Sequence, residues 1–288
     1  MIARRLGKSL LLFVLFLGGL LMLVPFWWMV ATSVKPDDQL FVYPPEWIPR
    51  SVDFRHYARV LNVSNFGRYV LNSFVLGAVH TITYLALASV AGYAFARLRF
   101  PGREMLFIIL LATMMIPQQV TMIPIFLMIK GVPFFGGNDL YGEGGIGWMN
   151  SWWGLIVPGM VAPFGIFLMR QFFQTLPVEL EDAGRIDGAS EFAIFGRIML
   201  PLAGPALVTL SLFSFDAGWS SFLWPLLITT TDEMRTIQLG LMIFRNQFLV
   251  EWGPAMAGAT MATIPSILIF IAGQRYFVRG IAMTGLKG

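Results

Sequence analysis

Long uncharged stretches alternate with short charged segments along the whole chain. Five stretches contain no Asp, Glu, Lys or Arg and are 23 to 28 residues long, which is enough for a helix to cross a bilayer. A sixth apolar stretch, from Arg197 to Asp232, is interrupted only by Asp216. The pattern therefore predicts an all-α, polytopic membrane protein with six transmembrane helices. The five uninterrupted stretches are Ser9–Val34, Tyr69–Ala96, Met105–Ile129, Gly144–Met169 and Trp252–Gln274.

The composition agrees with a membrane protein and excludes several classes of function. Of the 288 residues, 57% are hydrophobic and 12% are charged, with a mean hydropathy of +0.71, whereas soluble domains carry about 25% charged residues. The chain has no cysteine, which excludes disulfides, thiolate metal sites and cysteine nucleophiles. His56 and His80 lie far apart, so no metal site is expected. The net charge of +4 comes from basic residues that flank apolar runs, which indicates a membrane and no nucleic acid.

The distribution of Lys and Arg predicts the orientation. With the N-terminus inside, the inside segments hold 12 of these residues and the outside segments hold 8. Five of those eight lie in one long loop, so the shorter outside loops are poor in basic residues, as expected for an N-in/C-in topology. The first stretch is interpreted as a retained span and not as a signal peptide, because it is longer than an ordinary h-region.

One outer loop is long enough to have structure of its own. Residues 36–68 are predicted to be extracytoplasmic, with a stiff proline-rich segment around Trp47 and a short amphipathic helix over residues 53–61. The glycine-rich segment 131–150 is expected to be irregular. Residues 1–288 are interpreted as a single transmembrane domain.

No motif of a reaction centre is present. Gly7-Lys8-Ser9 looks like the end of a phosphate-binding loop, but the glycine five positions earlier is absent. The chain is therefore predicted not to be an enzyme, which leaves a channel, a transporter subunit or a membrane scaffold.

Residues 175–201, between the fourth and fifth stretches, form the most informative polar segment. Pro177 suits a helix start, Asp187-Gly188 a stop and turn, and Ser190 the cap of a second helix. On the residues alone, this hairpin is either a docking surface for another protein or a solvated tether, and both interpretations stay open.

This segment resembles the Glu-Ala-Ala loop of ABC importer permeases, with Asp182 in place of the middle alanine. The matching residues are Glu181, Asp182, Ala183, Asp187, Gly188 and Ala189, followed by Ile198, Leu200 and Pro201. Further stretches resemble the carbohydrate branch of that family, the maltose-permease-like second permease subunits. They are Asn72-Ser73 and residues 93–102, 222–226, 233–236 and 285–288.

The resemblance implies a set of partners and a location in the cell (inner) membrane. Such a permease pairs with a homologous permease, rests on two copies of a cytoplasmic ATPase that binds ATP and Mg, and receives solute from an extracytoplasmic binding protein. No cofactor is expected in this chain. Glu181 is expected to be a charged anchor for an arginine of the ATPase. The residues implied in ATPase docking are Glu181, Asp182, Ala183, Asp187, Gly188, Ala189 and, in the tail, Lys287.

Polar and aromatic residues inside the spans are candidates for the solute path. Asp216 is an ionisable residue within an apolar span and must face a polar cavity or a partner. Family members commonly have Trp-Asn-Asp where this chain has Trp219-Ser220-Ser221. Bundle packing of the tryptophans, a structural hydrogen bond of Asp216 and a plain kink near Gln118 stay open as alternatives. The path candidates are Asp216, Trp219, Ser220, Trp224, Gln118 and Gln119.

The predicted function is that of a permease subunit of a binding-protein-dependent sugar importer of the oligosaccharide class, coupled to its ATPase through residues 177–191. An importer for glycerol-phosphate or acidic oligosaccharides is an alternative within the same architecture. A secondary carrier that uses Asp216 and His80, or a scaffold, is an alternative outside it. His80 is expected to be a hydrogen-bonded histidine of the bundle.

Overall fold

The computed structural model describes the backbone of residues 2–62, 65–245 and 250–284, and the side chains of residues 7–62, 65–245 and 250–274. Within these ranges the chain forms fourteen α-helices and no β-strand, which confirms the all-α prediction. The helices are α1 (Ile2–Ser33), α2 (Arg55–Asn62), α3 (Phe66–Arg97), α4 (Arg103–Thr113), α5 (Gln118–Lys130), α6 (Trp152–Ile156), α7 (Pro163–Thr175), α8 (Glu179–Ile186), α9 (Glu191–Ile194), α10 (Leu200–Leu202), α11 (Gly204–Trp219), α12 (Leu223–Ile228), α13 (Ile237–Leu241) and α14 (Trp252–Thr284).

Three spans are continuous helices and three are bent. Helices long and apolar enough to cross a membrane cover Gly7–Ser33, Phe66–Arg97 and Trp252–Gln274. The other three predicted spans are helix pairs bent by 100° (α4 and α5), 44° (Trp152–Gly159 and α7) and 77° (Glu191–Leu202 and α11). Counting each pair once gives the predicted six among the described residues, and the bend between α4 and α5 lies at the polar break expected near Gln118.

Proline accounts for where the bent spans restart. α5 follows Pro117, α7 begins with Pro163, and α11 carries Pro205 in its first turn. Proline has no N–H and fits best in the first turn of a helix, so a proline beside a break favours the start of a new helix there. Proline alone does not break a span, because Pro25, Pro124 and Pro265 lie inside continuous helices. The fifth span breaks at Ala203, between α10 and α11, where the sequence pattern showed only apolar residues.

The chain divides into two compact units, and the first comprises residues 1–67 and 240–265. In it, the ring of His56 lies 2.8 Å from the carbonyl of Lys35, and Arg59 pairs with Glu251 at 2.7 Å. α2 confirms the predicted short helix to within two residues at its start. The extracytoplasmic position of residues 36–68 and the single-domain interpretation stay predictions.

The second unit comprises residues 68–239 and 266–288 and contains the candidate sites. α3 is packed closely against two other helices. A Cβ on Gly92 would lie 2.5 Å from Cβ of Met169 in α7, and a Cβ on Gly218 in α11 would lie 2.8 Å from Cα of Gly77. Such backbone approach requires glycine, since any side chain would force the helices apart.

Candidate functional site

The predicted hairpin consists of two short helices with a glycine turn, as the capping residues indicate. Gly188 adopts the left-handed conformation (φ +78°), and the N–H of Ala189 returns to the carbonyl of Gly184 at 2.9 Å. The hydroxyl of Ser190 accepts a hydrogen bond from the N–H of Ala193 at 3.3 Å and caps α9. The turn fixes α8 against the start of the fifth span.

α8 has one buried and one exposed face. Glu181 and Gly184, one helical turn apart, are buried, and a Cβ on Gly184 would lie 3.1 Å from side-chain atoms of Ile194 and Ile198. Most of the predicted docking residues lie on the accessible side: Asp182, Ala183, Asp187 and Gly188 are exposed and Ala189 is half-buried. The exposed side is therefore available to a partner.

Glu181 is part of an ion-pair network within this chain. Its residue exposure is 2%, and its Oε1 lies 3.0 Å from Nε of Arg97, the last residue of α3. Its Oε2 lies 3.3 Å from Arg185, which also binds Asp182 at 3.1 Å and Glu191 at 2.9 Å. The Glu191 carboxylate raises the pKa of the Arg185 guanidinium.

The expected role of Glu181 as an anchor for an arginine of the ATPase stays a prediction, and the geometry of this chain gives its carboxylate two other partners. Its carboxylate faces inwards and has two arginine partners in its own chain, because position 181 falls on the same helical face as Gly184. Sequence reasoning missed the pairing of Arg97 with Glu181, since it used Arg97 only for the orientation and within the family-like stretch 93–102.

Two apolar side chains at the same hairpin were also missed. Ile186 and Phe192 are each 86% exposed, although both stand among charged residues and large apolar groups favour burial. Their exposure could have been predicted from the sequence, since a short, charged loop of two helices offers little apolar core in which an isoleucine and a phenylalanine could be buried. Lys287, the predicted contact of the tail, lies outside the described residues.

Asp216 is exposed on α11 and lies close to the middle of α3 along the span. Two residues before it, Ser214 bonds His80 at 2.9 Å, and two residues after it, Gly218 meets Gly77, so Asp216 lies level with residues 77–80 of the 66–97 helix. Its Oδ1 accepts hydrogen bonds from the hydroxyls of Ser266 (3.0 Å) and Ser220 (3.4 Å). A carboxylate at this depth needs water or a partner.

The exposed side of α11 carries a mixed polar and apolar stripe. Phe213, Asp216, Ala217 and Ser220 are exposed at spacings of three and four residues, which places them on one helical face. Phe213 was not singled out from the sequence, although its spacing from Asp216 indicated it. The face presents an aromatic ring, a carboxylate and a hydroxyl together.

The two tryptophans proposed for the path are used in packing. Trp219 is 1% exposed and stacks on Phe215 at 6.1 Å between ring centroids, so it cannot touch a solute in this conformation. Trp224 is half-buried, and its indole N–H donates to the carbonyl of Gly154 at 2.9 Å. The alternative of bundle packing, left open by the sequence, describes both.

Gln118 and Gln119 are exposed at the first turn of α5, directly after the 100° bend. They do not contact the Asp216 face through any described hydrogen bond.

His80 bonds the hydroxyl of Ser214 and stacks on Tyr84 at 5.7 Å, as expected for a histidine of the bundle. Among the residues the structure describes, no cluster of His, Asp and Glu could hold a metal ion.

Comparisons with known proteins identify the family. Residues 86–283 match the family described as "Binding-protein-dependent transport system inner membrane component". The arabinooligosaccharides transport system permease protein AraQ of Bacillus subtilis is 32% identical over 283 residues, covering 97% of this chain and 95% of that protein. The sn-glycerol-3-phosphate transport system permease protein UgpE of Yersinia pestis is 33% identical over 290 residues, covering 98% of each.

A solved structure shows the same fold. The crystal structure of a bacterial ABC transporter involved in the import of the acidic polysaccharide alginate contains a chain that matches with a TM-score of 0.80 and 23% identity, covering 96% of this chain and 98% of that one. The resemblance to ABC importer permeases is thereby confirmed, as is the membrane location. The chain belongs to the family of inner membrane components of binding-protein-dependent transport systems.

Proposed function

We propose that this permease forms one half of the translocation path of an ATP-driven importer for neutral oligosaccharides. Its partners are a homologous permease, two copies of a cytoplasmic ATPase that binds ATP and Mg, and an extracytoplasmic solute-binding protein. The names of the relatives support sugars and small phosphorylated polyols as the range of solutes. ATP hydrolysis belongs to the ATPase, because this chain carries no phosphate-binding loop.

The observation that carries the proposed solute class is the exposed carboxylate of Asp216, at the level of the middle of α3. Serine hydroxyls bind only its Oδ1 among the described contacts, which leaves Oδ2 available to a sugar hydroxyl. Phe213 on the same face offers an aromatic surface for the CH face of a sugar ring. Asp216 and Ser220 are therefore the residues of the predicted path that the structure supports best.

The same carboxylate argues against the anionic alternatives. A phosphate or uronate that passes Asp216 meets a like charge in a poorly screened environment, which is unfavourable. A secondary carrier that uses His80 and Asp216 together gains no support, since the described partners of His80 are Ser214, Tyr84 and the backbone of Gly159, and Asp216 is not among them.

Docking is proposed on the exposed side of the α8 and α9 hairpin. Ile186 and Phe192 supply exposed apolar anchors, and Asp182 and Asp187 supply charges around them. Apolar anchors within a charged rim are typical of protein interfaces. Purification of the tagged chain from its native membrane is expected to recover an ATPase, a second permease and a binding protein, identified by mass spectrometry.

Two substitutions test the two halves of the proposal. Phe192→Lys is expected to abolish recovery of the ATPase, whereas Phe41→Lys, at another largely exposed phenylalanine of the predicted outer loop, leaves it unchanged. Asp216→Asn is expected to lower uptake of a labelled arabinooligosaccharide by about tenfold, since one charge-assisted hydrogen bond is lost. Unchanged sugar uptake, or uptake of glycerol-3-phosphate by the unmodified transporter in preference to sugar, would contradict the solute class.

A further inference from the structure

The guanidinium of Arg97 lies where the ends of three helices meet. It stands at the end of α3, and its Nη2 donates to the carbonyl of Phe173 at 2.6 Å and to that of Leu176, at the end of α7. Its Nε faces the carboxylate of Glu181 in α8 at 3.0 Å, and the two side chains are 8% and 3% exposed. One side chain thus binds α7 and α8 to α3.

Stability alone does not explain a charged residue at this place. An apolar pair of similar volume is commonly as stable as a buried ion pair, because removing two charges from water is costly. What a guanidinium adds is geometry and charge together. Its planar fork donates to the carbonyls of Phe173 and Leu176 in fixed directions, and its charge holds the Glu181 carboxylate by an ion pair that lacks hydrogen-bond alignment. The network therefore specifies the position of α8 relative to the ends of α3 and α7.

α3 connects the ion pair at Arg97 to helix contacts about 30 Å away within the span. From Arg97 to Gly77 the helix covers twenty residues, or about 30 Å at 1.5 Å per residue. Along this length α3 meets α7 where Gly92 contacts Met169. Nearer its middle, α3 meets α11 where Gly77 contacts Gly218. These backbone contacts are too close for the helices to slide without moving together.

We propose that Arg97 is a positioning residue that links the docking hairpin to the solute path. A displacement of α8 is passed through Glu181 and Arg97 to α3 and α7, and through the glycine contact to α11 beside Asp216. The inference rests on the proposed docking of an ATPase on α8. The inference states that movement of α8 reaches α3 through the buried pair of Glu181 and Arg97, and not through the loop backbone alone.

The test uses the assembled transporter, purified through a tag on this chain. The chain has no cysteine, so Glu179→Cys on α8 and Val90→Cys on α3, both exposed, place two spin labels at defined sites. Their distance distribution is measured without nucleotide and after trapping with ATP and vanadate. In an otherwise unmodified chain, one narrow distribution is expected in both states, because α8 and α3 move as one body.

Arg97→Met is expected to lose the narrow distribution, and the label distance is expected to shift on trapping. Arg185→Met is the matched control, because it removes the other arginine of Glu181 and leaves the bonds to α7 intact. If Arg97→Met fails to assemble, the pair Arg97→Met with Glu181→Leu removes both buried charges, and the same broadening is expected. A narrow, nucleotide-independent distance distribution in Arg97→Met, or in the double variant Arg97→Met with Glu181→Leu, would overturn the link. Absence of a co-purifying ATPase would instead overturn the proposed docking.

Discussion

Two carboxylates of this permease have opposite environments. Glu181 is buried between Arg97 and Arg185 in the hairpin of α8 and α9, on which docking is proposed. Asp216 is exposed near the end of α11, at the level of the middle of α3, and is bound by the hydroxyls of Ser220 and Ser266. The carboxylate that the membrane environment penalises more, that of Asp216, is therefore the exposed one.

The difference separates a structural charge from an available one. Glu181 has its electrostatic partners inside the chain, so its negative charge contributes little to an outside surface. Among the described contacts Asp216 has only neutral donors, so its charge is directed at whatever occupies the space in front of it. Burial and partners, more than residue type, therefore distinguish the residue proposed to transmit motion from the residue proposed to meet solute.

The largest expected effect comes from breaking the buried pair. Glu181→Ala leaves the Arg97 guanidinium buried without its carboxylate, and this costs about 3–5 kcal/mol of the free energy of unfolding. The double substitution Arg97→Met with Glu181→Leu is expected to recover most of that loss. Thermal unfolding followed by tryptophan fluorescence measures both, and a Glu181→Ala protein as stable as the unmodified chain would show that the pair is not buried as described.

The second effect concerns the packing that joins the two regions. Gly92→Ala places a Cβ 2.5 Å from Cβ of Met169, and such overpacking costs about 1–3 kcal/mol. Gly196→Ala is the control, since nothing lies within 4 Å of a Cβ there. The two melting temperatures are compared in the same detergent, and equal values for both variants would contradict the close approach of α3 and α7.

A smaller effect is expected at Asp216. Asp216→Asn removes a charge but keeps an acceptor for Ser266, so the free energy of unfolding changes by no more than about 1.5 kcal/mol. Transport falls while stability stays, the reverse of the pattern expected for a packing residue. A loss of stability as large as that of Glu181→Ala would assign Asp216 a structural role.

The smallest effect is expected at Arg185, which lies on the accessible side of α8. Its pairs with Asp182 and Glu191 are exposed, so salt screens them and they contribute little. Arg185→Met is expected to leave the melting temperature nearly unchanged at high salt and to lower it slightly at low salt. A large, salt-independent loss would show that Glu181 depends on both arginines.

The sequence predicted what depends on neighbouring residues. Runs of apolar residues gave the six spans, and Gly188 and Ser190 gave the turn and the cap of the hairpin, because these features depend on a few adjacent positions. The pairing of Glu181 with Arg97 joins residues 84 positions apart, and no local pattern encodes it. The burial of Trp219 likewise depends on which side of α11 meets α3, which composition does not reveal.

The bend between α4 and α5 has a consequence for how the protein is made. Two helix ends meet at residues 114–117. The last carbonyls of α4, from Leu110 to Thr113, accept hydrogen bonds from the Thr113 hydroxyl and from the N–H groups of residues 114–116, but the N–H groups of Gln118 and Gln119 at the start of α5 have no partner among the described hydrogen bonds. Hydrocarbon cannot satisfy these groups, so water or a second subunit must cover them as soon as the span enters the bilayer. A newly made chain is therefore an incomplete membrane protein by itself, and we expect its lifetime in the cell to follow the supply of its partner permease.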